Sequence, residues 1–209
     1  APDLGEYAPL LESGLRDIAG APPSENSYFY NLTLGQSLLD FPLIQAGLLP
    51  LRFVAEGEKR EIFLALLLSP YFGHWKGTRH EIARVDRGWR ESSTERGLSE
   101  LLTAAKRLQP AVHEKILRDG ASRFLEFCRQ PFGGSRTVES WIAALESLWS
   151  ALSFPVISDE RDRIAWRHLG EILADLRSHL AEVPMDGFEF LSWLRHTFRE
   201  TPSRQSAPE

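Results

Sequence analysis

Apolar residues along most of this chain recur at intervals of three and four, the spacing of one helix face. Asp3 and Glu6 have the spacing of a capping box; Leu11, Leu15 and Ile18 then mark one face, and Gly20 stops the helix. The following stretch, APPSENSYFYNLTLGQSL, has no period, with Phe29 and Tyr30 as the anchors expected to tie it down. Asp40 and Pro42 open a second helix with the proline near its first turn. Pro50 is expected to bend or end that helix, because it removes a donor and clashes with the carbonyl four residues back. Lys59 to Leu68 predicts a third helix, apolar on nearly all sides and therefore central.

Thr78 and Glu81 form a second capping box, starting a helix to about Arg90, and Leu98 to Leu108 is the next. From Pro110 a longer helical region runs to near Cys128, with Gly120 as its weak point. FGGSRT is a loop, after which Trp141, Leu145, Leu148 and Trp149 form a stripe at helical spacing. SFPVISDE breaks the chain again. Asp159 to about Leu180 is a long amphipathic helix with Ile164, Leu169, Ile172, Leu176 and Leu180 facing inward. Asp186 caps the last helix, which carries Phe188, Leu191, Trp193, Leu194 and Phe198. No alternating run reads as a strand, and no fixed period reads as a repeat. The expected fold is all-α: a single irregular multi-helix domain of about eight or nine helices over residues 1–209, with 201–209 a polar, linker-like tail.

Composition adds limits. Hydrophobic content of 43% and charged content of 25% are globular values. The longest apolar run, around Ile62 to Leu68, falls far short of the roughly 20 residues that span a bilayer. Cys128 is the only cysteine, which precludes an internal disulfide and favours a cytoplasmic origin. A net charge of −5 argues against a small module coated in positive charge. Alanine at position 1 and the polar tail point to a removed leader or to a piece of a longer protein. Of the 24 basic residues 20 are arginine, a bias that a GC-rich genome produces without functional cause.

The motifs of common catalysts are missing from the sequence. None of Lys59, Lys76, Lys106 and Lys115 sits in a phosphate-cradling glycine loop. The residues two before them are Gly57, His74, Ala104 and His113, so the acid-before-lysine spacing of metal-dependent nucleases does not occur. Three residues before the histidines stand Tyr71, Gly77, Pro110, Ala165, Leu176 and Trp193, which removes the di-iron Glu-x-x-His motif. One cysteine cannot build a structural zinc site. His168 with Glu171, and Asp175 with His179, share helix faces and read as surface pairs. Cys128, flanked by phenylalanines in FLEFCRQ, reads as an inert thiol. No catalytic residue, metal or cofactor is expected.

Arg84, Arg87 and Arg90 lie three apart on the helix after Thr78, with Lys76 and Arg79 before them and Arg96 after. Such a row suits phosphates, each contact releasing counterions without reading bases. The bland alternative is a solvated face, since Glu81, Asp86, Glu91 and Glu95 share the window. Trp75 and Trp89 read more readily as core or rim anchors than as base-stacking platforms.

The order of landmarks resembles the segment between helicase motifs in AddB-like proteins, including bacterial "probable DNA repair" proteins. APDL (Ala1 to Leu4) looks like the end of a core strand that the family writes VPDL. NLTLGQSLLDFPLIQAGL, LLLSPYFG and RVDRGWRE are similar to its Asn/Ser-Gly-Leu…Pro landmark, its apolar helix ending in Ser-Pro-aromatic, and its Arg-Asp-Leu-Arg stretch. SWIAALESLWSALSFP looks like the tryptophan-bearing helix closing on a Gly-Trp-Pro corner, here Ser153-Phe154-Pro155. FEFLSWLRHTFRETP resembles the last helix before re-entry into the motor core. The family couples a superfamily-one helicase, often with degraded ATPase motifs, to a RecB-type nuclease domain.

The resemblance implies a 2B-like insertion whose two ends lie together on a parent sheet, with no family catalytic residue among these positions. Its partners would be the remainder of the parent protein, duplex DNA and a partner repair subunit. On that reading Lys76, Arg79, Arg84, Arg87 and Arg90 are the expected phosphate contacts. Two rivals predict different surfaces. A protein-interaction scaffold docks a partner on the Ser24 to Leu38 segment and exposed aromatics, and an unrecognised enzyme has a deep pocket of titratable groups.

Overall fold

The computed structural model describes residues 37–74 and 77–201, apart from the side chains of 116 and 118–121. Among these residues a 3-10 turn, Leu38–Asp40, is followed by nine α-helices. They are α1 (Pro42–Ala55), α2 (Arg60–Leu68), α3 (Arg79–Glu91), α4 (Leu98–Leu108), the single turn α5 (Pro110–Val112), α6 (Arg118–Cys128), α7 (Val138–Ala151), α8 (Glu160–Leu180) and α9 (Gly187–Glu200). The fold is all-α apart from a two-residue ribbon, in which β1 (Arg136–Thr137) pairs antiparallel with β2 (Pro184–Met185). That ribbon is a small correction to the expectation of no strand. Two-residue strands are too short to produce an alternating pattern.

The expected capping box at Asp3, the face of Leu11, Leu15 and Ile18, the anchors Phe29 and Tyr30, Trp75, Lys76 and the tail past Thr201 lie outside the described residues.

The helix starts follow their local chemistry. Thr78 and Glu81 close a capping box on α3, and Asp186 and Glu189 close another on α9. Asp159 accepts from the Asp162 amide at 2.8 Å to start α8. Pro42 opens α1, where its missing N–H is one no helix needs.

Packing alters three local expectations. Pro50 does not end α1, which continues to Ala55 with Pro50 buried. Burial of Leu48, Leu51 and Phe53 around it offsets the roughly 3 kcal/mol that an interior proline costs. The most deeply set helix is α1 rather than α2, for Leu68 of α2 is 47% exposed and Leu64 only half-buried. The Pro110 to Cys128 region is interrupted at a π turn, His113–Leu117, and not at Gly120, which α6 runs through. In α8, Ala165, Leu169, Leu173 and Leu176 are buried, while Ile164, Ile172 and Leu180 are only partly so. On α9 the exposed residue is Phe188, at 51%, and the buried one is Phe190.

One core joins three aromatic groups. Phe53, Phe63, Trp89 and Phe124 knit α1, α2, α3 and α6 at centroid distances of 5.1–6.1 Å. Trp149, Phe154 and Trp166 join α7 to α8, and Phe132, Trp141 and Phe190 join α7 to α9. The indole of Trp149 donates to the Gly47 carbonyl at 2.9 Å, and Gly47 permits this approach: a Cβ there would stand 3.0 Å from the Phe154 ring. Arg177 of α8 bridges Glu139 and Glu146 of α7 at 2.6–3.0 Å.

The first and last described segments meet. The Leu38 amide donates to the Thr201 carbonyl at 3.1 Å, and the Ser37 hydroxyl to the Phe198 carbonyl at 3.0 Å.

Candidate nucleic-acid interface

The helix α3 is fixed from beneath. Ile82, Val85, Gly88 and Trp89 are buried, and the Trp89 indole donates to the Leu101 carbonyl of α4 at 2.8 Å. Gly88 allows α4 to close in, since a Cβ there would be 3.2 Å from the Leu108 side chain. Trp89 is thus a core residue, 0% exposed, and no stacking platform.

At about 100° per residue, Arg79, His80, Ala83, Arg84, Arg87, Arg90 and Glu91 occupy one outward arc of about 140°. All seven are exposed. Arg79, Arg84 and Arg87 make no ion pair among the described residues. Arg90 pairs with Asp86 at 2.8 Å. Lys76, the fifth residue of the expected row, lies outside the described residues.

Two of the acids that share this window in sequence, Glu81 and Asp86, leave the outward face in space. Glu81 and Asp86 sit at opposite flanks of α3 and are only half-exposed. One Glu81 oxygen accepts from the Thr78 amide at 2.8 Å and the other from Lys115 at 2.7 Å. The Lys115 ammonium first, and then the Thr78 amide and hydroxyl, hold this carboxyl down at about 2. Asp86 lies between Arg90 and Arg60, with the Arg60 guanidinium 3.7 Å away. Only Glu91 remains as a carboxylate on the outward arc.

Two cations at this site escape sequence reasoning. Arg60 comes from the start of α2, and Lys115 from the π turn, 34 positions from Glu81. Neither has a local motif, and only packing brings them to the flanks of α3.

Elsewhere the titratable groups are dispersed. Asp162 is 4% exposed, with Tyr71 and Ser158 hydroxyls at 3.4 Å; burial and then the Asp159 charge raise its carboxyl pKa. The Cys128 thiol is pushed up by burial and then by the Glu58 charge. Asp175 and His179 form an exposed pair at 3.2 Å. They stand at the rim of an open groove of about 380 Å³ between α8 and α9, floored by Ile172, Leu176 and Trp193. Among the described residues, no group of three His, Cys, Asp or Glu side chains is placed to hold a metal ion, and no helix is long and apolar enough to cross a membrane. Comparison of the chain with protein-family models, curated proteins and solved structures finds no match.

Proposed function

We propose that the chain is a non-catalytic helical subdomain of a helicase-like DNA-repair protein, and that it positions duplex DNA through the outward face of α3. The observation that carries this reading is the charge separation on that helix. Four arginines and His80 face outward with one carboxylate, while Glu81 and Asp86 are turned aside and engaged. A row of this kind suits phosphates, which are bound by charge and position the protein without reading bases.

Two further features support the subdomain role. The ends of the described body, Leu38 and Thr201, are hydrogen-bonded to each other, which is compatible with an insertion whose entry and exit lie side by side. Ser153 holds φ 53, a conformation natural to glycine, where the resembled family has the glycine of its Gly-Trp-Pro corner.

The test is binding of a fluorescent duplex of about 20 base pairs across a salt series. The chain is expected to bind at low salt, with log K falling linearly in log salt. Reversing Arg84, Arg87 and Arg90 to glutamate should remove at least about 2.7 units of slope, three contacts at about 0.9 each. Unaltered affinity and slope would overturn the reading. The groove between α8 and α9 supports a second reading, a protein-docking scaffold with no nucleic-acid role, and that result would favour it.

A further inference from the structure

The cations around α3 form two ridges rather than one line. Arg84 lies at one edge of the outward arc, beside Glu81, and Lys115 stands against Glu81 at 2.7 Å with its side chain 56% exposed. Arg79 and Arg90 lie at the other edge, beside Asp86, whose charge is shared with Arg60. Ala83 and Arg87 run between the two edges.

A helix with its side chains is about 10–12 Å across, so the ridges are separated by roughly that width. The major groove of B-DNA is about 12 Å wide and is bordered by two phosphate strands. We propose that the face straddles a groove, with Arg84 and Lys115 on one phosphate strand and Arg79 and Arg90 on the other. This rests on the duplex-binding reading above and adds Lys115 as a contact. Arg90 is paired with Asp86 in the free chain and exchanges that carboxylate for a phosphate on binding. A single strand has one row of phosphates and engages one ridge at a time.

The experiment measures salt slopes on a duplex and on a single strand of equal length. The variants are Arg84→Gln and Lys115→Gln singly and together, Arg79→Gln/Arg90→Gln, all four together, and Arg195→Gln/Arg199→Gln on α9 as a control matched in charge to each pair. All the substituted side chains are exposed, and urea midpoints confirm that each variant folds. On the duplex each pair should lower the slope by about 1.8 units and the four together by about 3.6, with the control unchanged. On the single strand the four together should cost no more than one pair.

Equal losses on both substrates would overturn the two-ridge arrangement, and so would a slope that responds to Arg84 but not to Lys115. In either case duplex binding itself stands. If the duplex is not bound at low salt, the reading beneath this inference falls as well.

Discussion

Helix α4 begins without a cap of its own. Its N-cap residue is Gly97, at φ 83, which has no side chain to accept from the first turn. The acceptor comes from 40 positions earlier: the Glu58 carboxylate takes the Leu98 amide at 2.6 Å, and the Glu58 carbonyl takes the Gly97 amide at 3.2 Å. Glu58 does this from a left-handed backbone, φ 54. Two opposed contributions are therefore separable at one residue. A hydrogen bond to a charged acceptor contributes about 1.5–3 kcal/mol, and a helix cap about 0.5–2. For this half-buried carboxylate, Glu58→Ala is expected to cost about 1.5–2 kcal/mol, or about 3–8 °C in Tm for a chain of this size.

Glu58→Gln keeps the acceptor without its charge and should lose about half as much. Glu58→Gly also loses the cap but relieves the left-handed strain, about 1–2 kcal/mol against about 0.5–1 for glycine's extra freedom when unfolded. The glycine variant should therefore be about 0.5–1 kcal/mol more stable than the alanine one. Urea unfolding with matched m-values measures the series. An alanine variant within 0.5 kcal/mol of the parent, or a glycine variant less stable than alanine, would refute the remote cap.

Ser153→Gly should raise stability by about 0.5–1 kcal/mol in the same assay, since Ser153 sits at φ 53 without a side-chain bond that requires it. Because Glu81 is held at about 2 against an ordinary 4.5, its pairing stabilises the fold above about pH 4.5 and that contribution is lost as pH falls toward 2. A plot of urea midpoint against pH should accordingly be flatter in that window for Glu81→Gln. Asp162 has the opposite sign. Its raised pKa means that ionisation opposes folding, so Asp162→Asn should be neutral or stabilising at pH 7, and a loss above about 1 kcal/mol would contradict this. The Cys128 thiol should react with a chromogenic disulfide far more slowly in the native chain than in guanidinium; equal rates would show it to be accessible.

Much of the helical skeleton is written locally. The capping box at Thr78, the cap at Asp186 and the helix start at Asp159 appear where the local sequence predicts, because a cap involves residues within one turn. The apolar period likewise places Trp141, Leu145, Leu148 and Trp149 on the buried face of α7. The arginines of the candidate face were legible as a row, since three-residue spacing alone puts them on adjacent positions of one helix.

What sequence could not supply was decided by contacts between distant segments. Pro50 remains helical because neighbours bury it, the π turn sets Lys115 beside Glu81, and Glu58 caps a helix it does not belong to. The same holds for charge. Read in one dimension, Glu81 and Asp86 neutralise the arginines; in the fold they turn to the flanks, where Lys115 and Arg60 meet them. Periodicity reports which way a side chain leaves its helix, but which partner waits there depends on chain segments tens of residues away.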